Sequence, residues 1–228
     1  MTLVKVSSGD LEKENNIELD WEKVNRRKGY LGAKRCIDVI GALCGLILLS
    51  PVLLMVAVLI KYEDRNGPIL FKQIRIGKDG KEFYMYKFRS MVIDAEEQLK
   101  ELLEHNEVSG AMFKMKEDPR VTKIGRFIRK TSIDELPQLL NVLRGEMSLV
   151  GPRPPLSREV KEYTTYDKQR LFVTPGCTGL WQVTERNSVG FKEMVELDLE
   201  YINKRSVIYD LKIIFKTIQI MIKSNGAS

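Results

Sequence analysis

Cys36-Ile-Asp-Val-Ile-Gly-Ala-Leu-Cys-Gly-Leu-Ile-Leu-Leu-Ser-Pro-Val-Leu-Leu-Met-Val-Ala-Val-Leu-Ile60 carries a single charge, Asp38. Its length suits a membrane helix, which needs about 20 apolar residues, and a soluble helix this long would show a polar face. Two features argue against a simple span. Ser50-Pro51 interrupts the run, where proline removes a backbone hydrogen bond and kinks a helix. Both flanks are also basic, with Lys23, Arg26, Arg27, Lys28, Lys34 and Arg35 before the run and Lys61, Arg65, Lys72 and Arg75 after it. A spanning helix concentrates Lys and Arg on one side. A helix that enters one leaflet, breaks at Ser50-Pro51 and returns satisfies both observations. The pattern therefore predicts a re-entrant membrane helix over residues 30–62 with both ends on the cytoplasmic face.

Outward from that run, residues 1–29 are polar and charged with no small-residue cleavage site, which excludes a signal peptide. They read as a flexible or weakly helical N-terminal extension. Residues 63–222 read as a cytoplasmic, membrane-associated domain, and 223–228 as a tail. Residues 69–88 predict a β-hairpin turning near Asp79-Gly80, with Lys72, Gln73, Arg75 and Lys87 on its polar faces and Arg89 and Ser90 beyond it. Ala95, Leu99, Leu102 and Leu103 have helical spacing. Met147–Pro155 is too rich in proline and glycine for a regular element, and Pro175–Val183 reads as a tight turn feeding a short strand. Residues 190–203 predict a helix. The stretch from Val207 to Lys223 is broadly apolar but broken by Asp210, Lys212, Lys216 and Lys223, too short and charged to span a bilayer. It packs on the domain or lies in the membrane interface, and the upstream membrane helix favours the interface. The fold class expected is α+β, mostly helical, with a re-entrant helix, a small hairpin and interfacial amphipathic helices.

A chain of 228 residues can bury one core and a small appendage. Its net charge of +6 and pI near 9.1 call for an anionic partner: nucleic acid, an anionic membrane face or a phosphorylated substrate. Cys36, Cys44 and Cys177 show no C-x-x-C spacing, so neither a disulfide framework nor a zinc site is indicated. The single histidine, His105, lies in a polar pattern and leaves little scope for a histidine base.

The chemistry centres on Lys130-Thr-Ser-Ile-Asp-Glu-Leu-Pro-Gln-Leu-Leu140, where Lys123, Arg126, Arg129 and Lys130 lead into adjacent carboxylates. Ser132 with Glu135 resembles a capping box but would put Pro137 inside the helix, at roughly 3 kcal/mol. Asp134 as the N-cap puts Pro137 in the first turn and is preferred. Either way the carboxylates sit at the positive end of a helix, which favours their ionised forms and a nearby phosphate. Arg153, held between prolines in Gly-Pro-Arg-Pro-Pro, suits bidentate phosphate recognition. No Walker A motif, G-x-G-x-x-G or kinase signature is present. Fixed cations around an ionised carboxylate suit phosphoryl-type transfer, with Asp134 attacking phosphorus and Glu135 holding Mg²⁺. A non-catalytic basic membrane protein that binds anionic lipid or nucleic acid is the alternative. It leaves the acidic pair and the Gly-Pro-Arg-Pro loop without a purpose.

Six motifs in order give the chain a resemblance to the bacterial sugar transferases, over about residues 30–222. They are Lys34-Arg35-x-x-Asp38 before the Ser50-Pro51 break, Lys87-Phe-Arg-Ser-Met91, Asp118-Pro-Arg-Val-Thr-Lys-Ile-Gly-Arg126, Thr131-Ser-Ile-Asp-Glu-Leu-Pro-Gln138, Met147-Ser-Leu-Val-Gly-Pro-Arg-Pro154 and Pro175-Gly-x-Thr-Gly-x-x-Gln182. Members that resemble it are monotopic enzymes of the bacterial inner membrane, which move a sugar phosphate from a UDP-sugar onto polyprenyl phosphate at the cytoplasmic face. The resemblance implies that Asp134 is the nucleophile and Glu135 its Mg²⁺-associated partner. It places Arg129, Arg153 and Arg186 near the substrate phosphates, and Lys87, Arg89, Gln138 and Asp210 at further substrate-binding motif positions. Partners implied are the UDP-sugar, undecaprenyl phosphate and membrane lipid, with self-association as a homodimer an option and no role for nucleic acid. The long form's additional N-terminal membrane helices are not in this sequence, so the short, core-only form is expected. One departure stands out: Glu185 precedes Arg186 where many members have glycine, which is expected to bear on which sugar is accepted.

Overall fold

A computed structural model describes residues 17–95, 97, 98, 115, 118–184 and 190–226. The chain opens with α1 (Trp21–Arg26), α2 (Lys28–Leu48) and α3 (Ser50–Glu63). The last two meet at a 61° bend. The break falls at Leu49, one residue before the expected Ser50-Pro51, because Pro51 sits in the first turn of α3, where a missing amide breaks nothing. The Ser50 hydroxyl donates to the Ile47 carbonyl at 2.8 Å, satisfying an acceptor at the end of α2. Among the described residues no single helix is long and apolar enough to cross a membrane, but this bent pair together has the length and composition. Its outward surface carries Ile40, Ile47, Leu48, Leu54 and Val58, each at least 60% exposed. Lys34, Asp38, Ala42, Val56 and Ile60 face the protein. On α2, charged Lys34 and Asp38 inward with apolar residues outward is the reverse of a helix in water, and an apolar surface this large marks a membrane or partner contact.

Strands β1 (Leu70–Ile76) and β2 (Glu82–Phe88) form the expected antiparallel hairpin, with Leu70 opposite Phe88 and Ile76 opposite Glu82. Asp79 and Gly80 at its tip adopt φ of 56° and 77°, the left-handed pair that suits a hairpin's twist. Beyond the hairpin, Met91 pairs with Val121 in an isolated antiparallel bridge, flanked by Val92 N to Arg120 O at 2.9 Å and Thr122 N to Ser90 O at 3.1 Å. Helix α4 (Lys123–Lys130) is capped twice. The Thr122 hydroxyl accepts from Gly125 N, and the Glu63 carboxylate, at the end of α3, accepts from Lys123 N and Ile124 N at 2.8 and 3.1 Å. A 3-10 turn (Ile133–Glu135) leads to α5 (Gln138–Arg144), which ends at Gly145 with φ 82°. Then come β3 (Ser148–Val150), α6 (Ser157–Lys161), α7 (Thr165–Lys168), a 3-10 turn (Gln169–Phe172), β4 (Gly176–Thr178), α8 (Leu180–Thr184), α9 (Phe191–Lys204) and α10 (Val207–Gly226). The architecture is the expected α+β, mostly helical.

Three charged residues of α2 fasten it to this body. Lys34 Nζ donates to Asp210 at 3.0 Å and to Tyr201 at 3.3 Å. Arg35 donates to the Val142 and Leu143 carbonyls at the end of α5, at 2.6 and 2.8 Å. Asp38 accepts from the Ser148 hydroxyl at 2.9 Å and the Leu149 amide at 3.0 Å. Gly41 and Gly45 keep the approach close, since a Cβ at either would lie 2.7 Å from Leu149 Cδ1 or 3.0 Å from Leu139 Cδ1.

Several expectations are corrected. The stretch from Met147 to Pro155 does contain a regular element, β3, which pairs in parallel with β4. The strand of the Pro175–Val183 stretch lies within its turn, and the next element is α8, whose Leu180 and Val183 share a buried side at helical spacing. The N-terminal stretch is anchored from residue 17. Leu19 N donates to Gln169 Oε1 at 2.6 Å, and Val24 is buried in the main core with Val150, Leu199, Tyr201 and Ile213. Helix α10 buries Asp210 and Ile213 against the body but exposes Ile208, Leu211, Phe215 and Ile218, so it packs on the domain and also presents an apolar surface. Of the helix expected from Ala95 to Leu103 only Ala95, Glu97 and Gln98 are among the described residues, and His105 lies outside them.

The β3–β4 pair is possible because Gly151 and Gly176 have no side chains. A Cβ on Gly176 would stand 2.0 Å from the Gly151 amide nitrogen, a backbone atom that cannot swing aside. Gly176→Ala is expected to destabilise the fold by at least about 3 kcal/mol, the upper range for overpacking, read as a large fall in Tm of the purified protein. An unchanged Tm would refute this account of the crossing.

Candidate active site

The acidic pair does not cap a helix. Proline cannot donate to the carbonyl of Ile133 four residues back, so that carbonyl accepts the Leu136 amide at 3.1 Å, three residues on, and the chain tightens into the 3-10 turn. Helix α5 starts only at Gln138, with Pro137 at its cap position and no side-chain cap. Neither Ser132 nor Asp134 plays the expected capping role. Ser132 instead turns the chain out of α4 with φ 58°, a left-handed conformation uncommon for a residue with a side chain. This reversal presses Asp134 into the protein, where it is 9% exposed. Burial pushes its carboxyl up to about 6, with Lys87 opposing, Glu135 adding and Arg129 opposing. The sequence predicted the opposite direction from a helix-end location that the 3-10 turn removes.

Asp134 and Glu135 open on a cavity of about 590 Å³ whose wall also includes Lys87, Arg89, Arg129 and Arg153. Lys87 Nζ lies 2.7 Å from Glu135 Oε1. Arg89 pairs with Asp64 at 2.9 Å and donates to its carbonyl at 3.1 Å. Gln138 lines a smaller adjoining space that Glu135, Lys87 and Arg153 share. Asp210 stands elsewhere, accepting from Lys34, Tyr30 and Tyr201 at 3.0, 2.8 and 2.7 Å. Ser50 and Pro51 belong to the bent helix, and Glu185 and Arg186 lie outside the described residues.

Two arginines that sequence reasoning did not assign hold the Gly-Pro-Arg-Pro loop in place. Arg75 donates to the Pro154 carbonyl at 3.0 Å and to Gln73 Oε1 at 2.6 Å, and burial, reinforced by Arg153, lowers its guanidinium to about 10. Arg170 donates to the Arg153 carbonyl at 3.4 Å and is itself fixed by Asp198 at 2.6 Å. Ile76 N adds a bond to the Pro155 carbonyl at 3.0 Å. The alternation Phe71, Gln73, Arg75 was the available signal, because these residues and Lys87 form one face of the hairpin and line the cavity.

The family description "Bacterial sugar transferase" matches residues 29–224. The chain belongs to the bacterial sugar transferases. This sugar transferase is 49% identical over 199 residues to "Galactosyl transferase CpsE" of Streptococcus agalactiae, covering 87% of the chain and 44% of the relative. It is 45% identical over 198 residues to "Undecaprenyl-phosphate galactose phosphotransferase" of Salmonella typhimurium, covering 85% and 41%. It is also 42% identical over 199 residues to "Exopolysaccharide production protein ExoY" of Rhizobium meliloti, covering 86% and 88%. The sugar transferase chain thus spans less than half the length of the first two relatives and matches most of the third.

The raised Asp134 carboxyl makes the site a source of instability whose pH dependence is fixed in sign. A carboxyl titrating near 6 when folded and near 3.8 when unfolded keeps its proton in the folded state over that interval. Folding stability therefore falls as pH rises from about 4 to 6 and is flat above. Asp134→Asn is expected to raise the stability of the metal-free protein at pH 7.5 by on the order of 2–3 kcal/mol, with no gain at pH 3.5. Unfolding curves in chelator-containing buffer across this range check it; a gain independent of pH would contradict the assignment.

Proposed function

We propose that this sugar transferase moves a sugar 1-phosphate from a UDP-sugar to polyprenyl phosphate through a covalent intermediate on Asp134, as the first membrane step of a bacterial polysaccharide or glycoconjugate. The observation that supports it best is the placement of a buried carboxylate on the wall of a cavity ringed by Lys87, Arg89, Arg129 and Arg153. An Asp134 carboxylate oxygen attacks the phosphorus that carries the sugar. The new bond is Asp134 O–P, the bond broken is the P–O of the pyrophosphate bridge, and UMP leaves with the bridging oxygen and its electron pair. A phosphate oxygen of the acceptor then attacks the same phosphorus, and the Asp134 carboxylate departs. The cations oppose the charge that gathers on the phosphoryl oxygens and on UMP, and their fixed placement removes the need to reorganise during the step. Arg153, held through its loop's carbonyls, is suited to clamp a phosphate in one orientation.

The donor set fits a divalent cation shared with substrate. Among the described residues no three His, Cys, Asp or Glu side chains gather in one place, and Mg²⁺ is habitually held by one or two carboxylates plus substrate phosphates rather than by an all-protein cage. Glu135, together with the substrate's phosphates, would hold Mg²⁺, which supplies neutralisation of pyrophosphate charge when bound.

The bent pair α2–α3 supports a monotopic placement in the inner membrane, entering and leaving by the cytoplasmic face. Two relatives carry galactose in their names, which makes UDP-galactose the first donor to try. The expected result is UMP release from one member of a UDP-sugar panel, dependent on Mg²⁺ and sustained by undecaprenyl phosphate. Asp134→Asn is expected to lower that turnover about 10⁴-fold or more; turnover that survives the substitution would exclude the covalent route. For the topology, Lys28→Cys and Arg65→Cys in a cysteine-free background are expected to react with an impermeant reagent from the same side of sealed vesicles. Labelling from opposite sides would make the pair a span.

A further inference from the structure

A second cavity, of about 190 Å³, lies between α5, β4, α8 and α10, and the phosphoryl chemistry leaves it unused. Its walls are mostly apolar: Leu136, Leu139 and Leu149 on one side, and Ile214, Ile218 and Met221 of α10 on the other. Three observations tie it to the site and to lipid. Ser132 and Glu135 line both this cavity and the cationic one, so the two spaces meet at Glu135, beside Asp134. Gln182 lines this cavity and also the small space containing Arg75 and Arg153, and its Oε1 is buried without a hydrogen-bond partner. Leu139 and Leu149 rest on Gly45 and Gly41, so single side chains separate the cavity from the bent apolar helix. At its rim Ile218 is half exposed, next to the exposed Phe215 on the outer surface of α10.

We propose that this cavity receives the first isoprene units of the polyprenyl phosphate acceptor, which makes α10 the element that selects the acceptor. The assignment rests on the transfer reaction proposed above and adds to it the place of the second substrate. The donor carries its charge on the pyrophosphate and hydroxyls or ring amides along the rest of its length, so it has no hydrocarbon group to fill an apolar cavity. The acceptor combines a phosphate with a hydrocarbon chain, and this site pairs a cation-lined space with an apolar one, the two joined at Glu135. With the acceptor's phosphate at that junction, the chain enters between α5 and α10 and leaves past Ile218 and Phe215 into lipid. Burying the hydrocarbon favours this arrangement over one with the chain in the cationic cavity, where it would strip water from Lys87 and Arg153 without replacing it.

Filling the cavity tests the assignment. Geranylgeranyl phosphate binding is measured on the full chain in detergent for Ile218→Trp, Thr217→Leu and, as a control, Ile208→Trp on the exposed side of the same helix. Affinity is expected to fall at least tenfold in the two cavity variants and to stay within twofold in the control, while the affinity of all three for UMP is retained. Full prenyl affinity in folded cavity variants, or an equal loss in Ile208→Trp, would overturn the assignment. Two variants guard against a folding failure in one. The outcome separates from that of the reaction itself. Selective loss of prenyl binding in a protein that releases no UMP from any UDP-sugar would leave the cavity assigned and the transfer reaction refuted, and UMP release with unaffected prenyl binding would do the reverse.

Discussion

The seating of α2 on the β3–α5 layer is the constraint from which the rest of the molecule takes its orientation. A helix with an apolar surface has little reason to prefer one rotation about its axis, because hydrophobic contact is non-directional. Lys34, Arg35 and Asp38 supply the direction. Each engages a different part of the body, and turning the helix by one residue would strand at least one of them in an apolar setting. Buried ionic contacts contribute little net stability but strongly penalise alternatives that leave a charge unpaired. The same contact sets Leu139 and Leu149 against Gly45 and Gly41, close to the turn that carries Asp134.

The turn itself is held against its local preferences. Proline forbids the regular helix, Ser132 is left-handed, and a carboxylate is removed from water between a lysine and an arginine. Such conflicts between local preference and final structure are where functional constraint is expected to override foldability. The surroundings supply the compensation: α4 is capped from two directions, and the Arg153 loop is tied down through its carbonyls by Arg75, Arg170 and Ile76.

Long periodic or uniformly apolar segments were legible in the sequence. The bent helix, the hairpin with its Asp79-Gly80 tip, α9 and α10 all derive from spacing that extends over many residues. Strands β3 and β4 were not, because three residues give no usable period and their pairing depends on a meeting of two glycines. The gathering of cations about the acidic pair was legible, and Lys87 and Arg129 do share its cavity, but its protonation was misjudged, since the tightening at Pro137 replaces the helix end that would have favoured the charge. Lys34 and Arg35 counted as membrane-flanking charge in the sequence; in the structure both fasten α2 to the body, Lys34 from a buried position and Arg35 from the surface. Charge counting does not see partners such as Val142 and Asp210, more than a hundred positions away. Asp210, grouped with the substrate residues by motif, is drawn off by that same fastening.

The bridge between Met91 and Val121 has an evolutionary consequence. The chain leaves the hairpin and comes back to the same point, and the hydrogen bonds at that neck, not the length of the excursion between, fix where α4 begins. Lengthening a closed loop costs only about 0.6 kcal/mol per doubling. Met91, Val92, Ile93 and Ala95, at the neck, stand on the wall of the cationic cavity. Asp118, buried and paired with Arg120 at 2.6 Å, and Ala95, whose carbonyl accepts from Arg120 at 3.1 Å, belong to that neck, so a change in chain length confined between Ala95 and Asp118 is the kind that leaves Asp134 where it is. Change in chain length and constancy of the cavity wall thereby fall to separate stretches of the chain.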